Sequence, residues 1–401
     1  MSRTKCSKRG RLWRFGLLFF CFLLLGGCQA KTEARQLVEN AVVLFGGEPS
    51  EVRELREEAV AETDGIHQEY YFKQLTEEEK RVYRQLQQGI EEFQEEIYIT
   101  SSQDAVLERA YDALLRDHSE LFWAQGKGVV YKTLYNTYGK FQPSYEYTRE
   151  EAEEITAALE AKAGEILAGV SADATDYEKA RYIYGAVVQN TVYQIGEDDQ
   201  NIAGALYENQ AVCAGYARAV QYLLEQLGVE CIFVSGDMQG STEGHAWNVV
   251  SLDGNYYYLD ATNGDQQDFL PTAQGEPQSV LYDYICPFPE DYAALCQDDG
   301  EFEIPVCTAV DYNSYIQNGN CFDTWDQEAL RAYFTEQIRM GTPVFSVKFS
   351  NSEDYETAKS VWIDQEEIRS IATYYMEWNG LSQVQYSYGL LDDLHTLYFM
   401  F

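Results

Sequence analysis

Histidine is scarce in this chain, with four among 401 residues, and the nine cysteines form no CxxC pair or Cys/His cluster. A structural zinc site of the usual spacing is therefore not expected. Basic residues are also few: 29 Lys and Arg stand against 66 Asp and Glu, for a net charge of −37. Nucleic acid and other anionic polymers would be repelled, which excludes a nucleic-acid partner. The same field could attract basic substrates or serve solubility alone. There is no internal repeat and no low-complexity segment. After residue 28 no apolar run is long enough to cross a bilayer. A chain of 401 residues exceeds one ordinary core, so two or three domains are expected.

The N-terminus is set apart from the rest. MSRTKCSKRGRLWR carries six basic residues and no acids, and FGLLFFCFLLLGG follows as a short apolar core. This is the layout of a secretory signal peptide. Leu25-Gly26-Gly27-Cys28 resembles a bacterial lipobox, which implies cleavage before Cys28 and a lipid on its sulfur. An uncleaved N-terminal anchor is the other reading of the pattern. On either, the remainder is exported and tethered; the lipobox reading puts it on the outer face of the bacterial cytoplasmic membrane. Cys231 lies in the apolar run CIFV and reads as a core thiol. Cys286, Cys296, Cys307 and Cys321 are left as candidates for two disulfides, in any of three pairings.

The expected organisation is a signal peptide at 1–27, a tether and first helix at 28–65, a helical region at 66–170, a catalytic domain at 171–300 and a small α/β domain at 301–401. Three capping boxes, Thr76/Glu79, Thr148/Glu151 and Thr175/Glu178, each predict a helix start. EEIYI reads as a short strand, QDAVLERAYDALLRDHSELF as a helix and YKTLYNTYGKF as strand. From about 200 the pattern predicts a helix from Cys213 to Gly228, then strands at 230–235, 245–251 and 255–260. Residues 264–300 read as loops with a short strand near 281–286. Further on come a helix at 326–339, a strand in PVFSVKF and a helix at 352–362. The fold class is α+β.

Cys213 opens an apolar helix, His245 lies on one strand and Asp260 ends the next. A thiol nucleophile needs a base to take its proton and a carboxylate to hold the base. The helix start favours a thiolate and offers backbone N–H groups to an oxyanion. The hairpin gives a test. If its turn is centred on Asp253-Gly254, Trp247 faces Asp260 and His245 points to the same side as Asp260, as a diagonal neighbour. A turn one residue longer or shorter would separate them.

Ala211-Val212-Cys213-Ala214-Gly215-Tyr216-Ala217 resembles the nucleophile motif of the transglutaminase-like superfamily. Gly244-His245-Ala246-Trp247-Asn248 is similar to its histidine motif and Leu259-Asp260-Ala261-Thr262 to its aspartate motif. The resemblance covers about 175–265 and extends to exported proteins of Gram-positive bacteria. It implies a papain-like fold, in which a Cys-bearing helix packs on an antiparallel sheet, and acyl-enzyme chemistry without metal or other cofactor. By that resemblance Cys213 attacks an amide carbonyl, His245 moves protons and Asp260 orients the imidazole. Some relatives supply a second oxyanion donor from an aromatic residue upstream of the Cys, which makes Tyr193 a candidate. Ala211 departs from the family's frequent Gly. The implied partner is a peptide or protein substrate, including cell-wall peptide. An inactive scaffold that binds wall polymers or proteins is the alternative.

Overall fold

The computed structural model describes residues 37–38, 41–42, 47–58, 60, 69–124, 128–131, 137–266, 269–270 and 280–401. The expected signal segment and Cys28 lie outside them. Among the described residues no helix is long and apolar enough to cross a membrane.

The chain divides into two compact units. The first takes in residues 75–111 and 128–144 together with the described residues before 61; the second takes in 69–74, 112–124 and everything from Tyr145 on. The helix that begins at Arg149 thus falls in the second unit, and residues 301–401 belong to the same unit as the domain expected at 171–300. In the first unit are α1 (Ser50–Glu57), α2 (Glu77–Glu91) and a small antiparallel sheet of β1 (Ile97–Ile99), β2 (Val129–Tyr131) and β3 (Gly139–Gln142), ordered β1-β3-β2. Helix α3 (Asp104–Asp117) runs from the first unit into the second. Val82, Leu86, Ile90, Ile97, Leu107 and Phe141 form the first unit's buried side.

In the second unit, α4 (Arg149–Leu167) and α5 (Asp176–Asn190) start at the expected capping boxes, as α2 does; each Thr accepts from the N3 amide and each Glu reaches back. A parallel pair, β4 (Val192–Tyr193) and β5 (Gln210–Ala211), leads into α6 (Cys213–Gln226). Gly228, at φ +73, ends that helix in the left-handed conformation. The main sheet is antiparallel, in the order β8-β7-β6-β9: β6 (Cys231–Met238), β7 (Gly244–Leu252), β8 (Asn255–Leu259) and, after the short α7 (Ala261–Gly264) and α8 (Pro289–Leu295), β9 (Cys296–Asp298). Helix α6 packs on β6 and β7. Asn248, fully buried, donates from its amide to the Ala217 carbonyl at 3.0 Å and so ties strand to helix.

Two expectations fail between 264 and 300. The strand near 281–286 is a 3-10 turn at Tyr282–Tyr284 with one bridge, Leu259 to Ile285. Cys286 then takes φ 50, which breaks the extended path. Residues read as loop also form α8, with Pro289 in its first turn, and β9.

The C-terminal part follows with α9 (Ser314–Asn318) and a sheet ordered β10-β11-β13-β12, made of β10 (Cys321–Phe322), β11 (Val344–Phe349), β12 (Ser387–Leu391) and β13 (Thr396–Met400). Helices α10 (Gln327–Arg339), α11 (Ser352–Lys359) and α12 (Ile368–Trp378) accompany it, around a core of Phe334, Phe345, Phe349, Trp362 and Phe399. The disulfides expected among Cys286, Cys296, Cys307 and Cys321 are not formed; all four are free thiols. Cys296 faces Met238 across the main sheet, whereas Cys321 is in the C-terminal sheet beside Lys348.

Candidate active site

The β7–β8 hairpin has the register that the turn predicts. Asn248 pairs with Leu259 and Leu252 with Asn255, so His245 and Asp260 come to the same side. Nε2 of His245 lies 2.8 Å from Oδ2 of Asp260. The other ring nitrogen, Nδ1, is left for the thiol: Cys213 and His245 line one cleft, and the nearness of Cys213 helps to raise the imidazole pKa. All three residues are thus brought together.

Asp260 is fully buried, and a buried carboxylate needs donors to replace its lost water. It has three besides the imidazole. It caps α7, accepting from the Asn263 amide at 3.0 Å, and it takes the Asn263 side-chain amide at 2.7 Å and the Tyr292 hydroxyl at 2.8 Å. Burial alone would raise its pKa; the charge and hydrogen bond of His245, with those donors, bring it below the ordinary aspartate value. For His245 burial works downwards, but the charge and hydrogen bond of Asp260, then those of Cys213, raise its pKa well above the ordinary value. The pair therefore favours imidazolium beside carboxylate. Trp247 stacks on the imidazole, with ring centroids 5.9 Å apart, and restricts its rotation.

Cys213 is half-buried at the first position of α6. No side chain caps that helix start, so its first-turn N–H groups stay open to an oxyanion. Gly215 allows the helix to seat there: a Cβ would lie 2.6 Å from both the Asp199 carbonyl oxygen and the Ala211 Cβ. The Val212 amide donates to the same Asp199 carbonyl at 2.9 Å.

An open cleft of about 1210 Å³ exposes the thiol and imidazole, and Tyr193 lines it, half-exposed on β4. Burial, then the proximity of Cys213, raises the Tyr193 pKa and keeps its hydroxyl a proton donor. His245, Asp260 and Cys296 also each offer one ligand atom within 4.8 Å of the others, the one such group among the described residues. Two of the three residues are already hydrogen-bonded to each other, His245 Nε2 to Asp260 Oδ2 at 2.8 Å, which favours the ion pair over a metal site.

Sequence reasoning missed Tyr292, Asn263 and Trp247. Asn263 follows Asp260 by three residues, a spacing that signals an N-cap. Tyr292 gave no signal, because its segment read as loop.

Residues 142–261 match the model of the transglutaminase-like superfamily, a stretch that includes Cys213, His245 and Asp260. No curated protein matches the chain. Among solved structures, similarity is found to one titled as a TGase, at 11% identity and TM-score 0.26 over 37% of this chain and 47% of that one. A second, titled "putative protease" from Parabacteroides distasonis, has 13% identity and TM-score 0.20 over 34% and 35%. A third, titled "putative cysteine protease" from Cytophaga hutchinsonii, has 11% identity and TM-score 0.25 over 47% and 80%. This chain spans about half of the first and a third of the second. Residues 142–261 are thus similar to the core of the transglutaminase-like superfamily.

Proposed function

We infer that this protein is a cysteine enzyme that acts on peptide or protein amides through a thioester on Cys213. The observation that carries this reading is an imidazole held at 2.8 Å by a buried carboxylate that has three further donors, in the cleft that Cys213 also lines. The thiol proton passes to His245, and the thiolate adds to the amide carbonyl. The oxyanion is held by α6 amides, with the Tyr193 hydroxyl as second donor. As the C–N bond breaks, the His245 imidazolium gives its proton to the departing amine. Water or a second amine then attacks the thioester; His245 takes the incoming proton and the thiolate leaves. Asp260 holds the imidazole throughout and is never itself a proton donor.

The cleft is open to solvent, which favours hydrolysis, because water at ~55 M outcompetes an amine unless it is excluded. Intact-protein mass spectrometry after mixing with peptide amides tests the reading. It predicts an acyl adduct on Cys213, discharged by hydroxylamine as a hydroxamate and absent in C213A. Peptide turnover that survives in C213A would refute it. The lipobox-like segment further supports an exported enzyme anchored through Cys28 at the outer face of the cytoplasmic membrane. Metabolic labelling with palmitate should then mark the full-length protein but not C28A.

A further inference from the structure

Arg218 lies five residues beyond Cys213 on α6 and lines the same cleft. Its residue is 7% exposed. The guanidinium carbon sits 4.4 Å from the centroid of the Phe233 ring, and Phe233 belongs to the small apolar cluster against which Cys213 and Ala214 pack. One nitrogen, Nη1, donates to the backbone carbonyl of Leu115, a neutral acceptor. Nε is buried and has no acceptor. Among the described residues no carboxylate forms an ion pair with Arg218. Asp112, which also lines the cleft, and Asp299 hold Arg116 at 3.0 and 2.7 Å. Burial first, then the charge of Arg116, brings the Arg218 pKa down to about 10 against the opposing charges of Asp112 and Glu120, neither of which forms an ion pair with it.

Buried arginines are ordinarily paired, because an uncompensated charge away from water is costly. In a chain with 66 acidic residues, a buried cation that lines the nucleophile's cleft and forms no ion pair with a carboxylate is a specific vacancy. Of the acids that line the cleft, Asp112 is taken up by Arg116, while Asp199, Glu243 and Asp265 repel an anion, so Arg218 is the lining cation left without a carboxylate partner. We propose that Arg218 receives a carboxylate of the substrate, so that the preferred substrates are acidic peptides whose carboxylate lies close to the amide attacked by Cys213. The proposal rests on the thioester reading above. A planar guanidinium suits this role better than an ammonium, because its remaining N–H donors match a carboxylate.

A matched pair of thiol reagents tests it without a known substrate. N-iodoacetylglycine carries a carboxylate, and N-iodoacetylglycinamide is its neutral twin. Their rates at Cys213 are compared by peptide mapping in the wild-type protein, R218M and R218K. A charge-assisted hydrogen bond corresponds to roughly a tenfold preference for the carboxylate reagent in wild type. The preference, taken as the ratio of the two rates, should vanish in R218M, and R218K should keep part of it. The net charge of −37 works against any anion, so a ratio above one reports a local cation. Loss of the preference in R218M separates Arg218 from the His245 imidazolium. A wild-type ratio of one or less, or a preference intact in R218M, overturns the proposal. If R218M exposes the buried Cys231 to the neutral reagent, it has unfolded, and the wild-type ratio and R218K decide. If neither reagent labels wild-type Cys213 faster than an ordinary thiol, the thioester reading fails, and this proposal with it.

Discussion

His245, Asn263 and Tyr292 converge on one oxygen of Asp260. A fully buried carboxylate with that many donors is held in place as well as charged. Removing one donor is therefore felt twice. Y292F should cost about 1–2 kcal/mol in a denaturant titration, and it should slow Cys213 alkylation severalfold as the imidazole loosens. Unchanged stability and rate would mean that Tyr292 is incidental. G215A acts from the other side of the site. With 2.6 Å to the Asp199 carbonyl, the added methyl must push α6 or its loop, at about 1–3 kcal/mol by the same titration. The pairing of His245 with Asp260 was legible in the sequence because the hairpin restricts position, and the helix start at Cys213 because the apolar pattern begins there. Tyr292 was not legible, because a tyrosine in a loop-like segment signals nothing until the fold brings it against the carboxylate.

The β7–β8 hairpin shows how an element sets the chemistry. Its two-residue turn uses positive φ at both Asp253 and Gly254, which fixes the pairing of Asn248 with Leu259 and hence the side on which Asp260 emerges. Inserting one glycine between Asp253 and Gly254 moves the register by one residue. His245 and Asp260 would then face opposite sides, and reactivity of the thiol should fall about 100-fold or more. Alkylation kinetics of the insertion variant check this; a rate near wild type would show that the register is not what aligns the pair. Helix starts were equally readable, since Thr76, Thr148 and Thr175 each announced one. The short pieces after Gly264 were not. Helix α8 and strand β9 together span ten residues, and Pro289 reads as readily as a turn as it does as a helix start.

At the scale of the molecule, the C-terminal part is tied to the part that carries the candidate site by buried polar contacts. Nζ of Lys348, on β11, lies 2.7 Å from Asp291 on α8, the helix that carries Tyr292. Asp283 accepts from the hydroxyls of Tyr315, at 2.6 Å, and Tyr398. An appendage at 301–401 was expected, but sequence alone could not show that its lysine and tyrosines are buried against acids of the preceding domain. K348M leaves Asp291 without its ammonium partner and should cost about 3 kcal/mol in a thermal or denaturant melt; no change would show that this tie is dispensable. The His245–Asp260 pair also sets a pH window. The raised imidazole stabilises fully below the ordinary histidine pKa and loses that contribution as pH rises through the raised one; the lowered carboxylate contributes above the ordinary aspartate pKa and loses it as pH falls through the lowered one. The melting-temperature gap between wild type and D260N should therefore be widest at about pH 4–6.5 and narrow on either side.

The most direct test of the account is iodoacetamide labelling of residues 29–401 from pH 4 to 9, read by peptide mapping beside H245A. An imidazole that holds the thiol proton predicts fast labelling of Cys213 well below pH ~8, slowed in the variant. Labelling only above pH ~8, alike in both proteins, would mark Cys213 as an ordinary thiol. That result would contradict the enzyme reading and leave the domain a binding module.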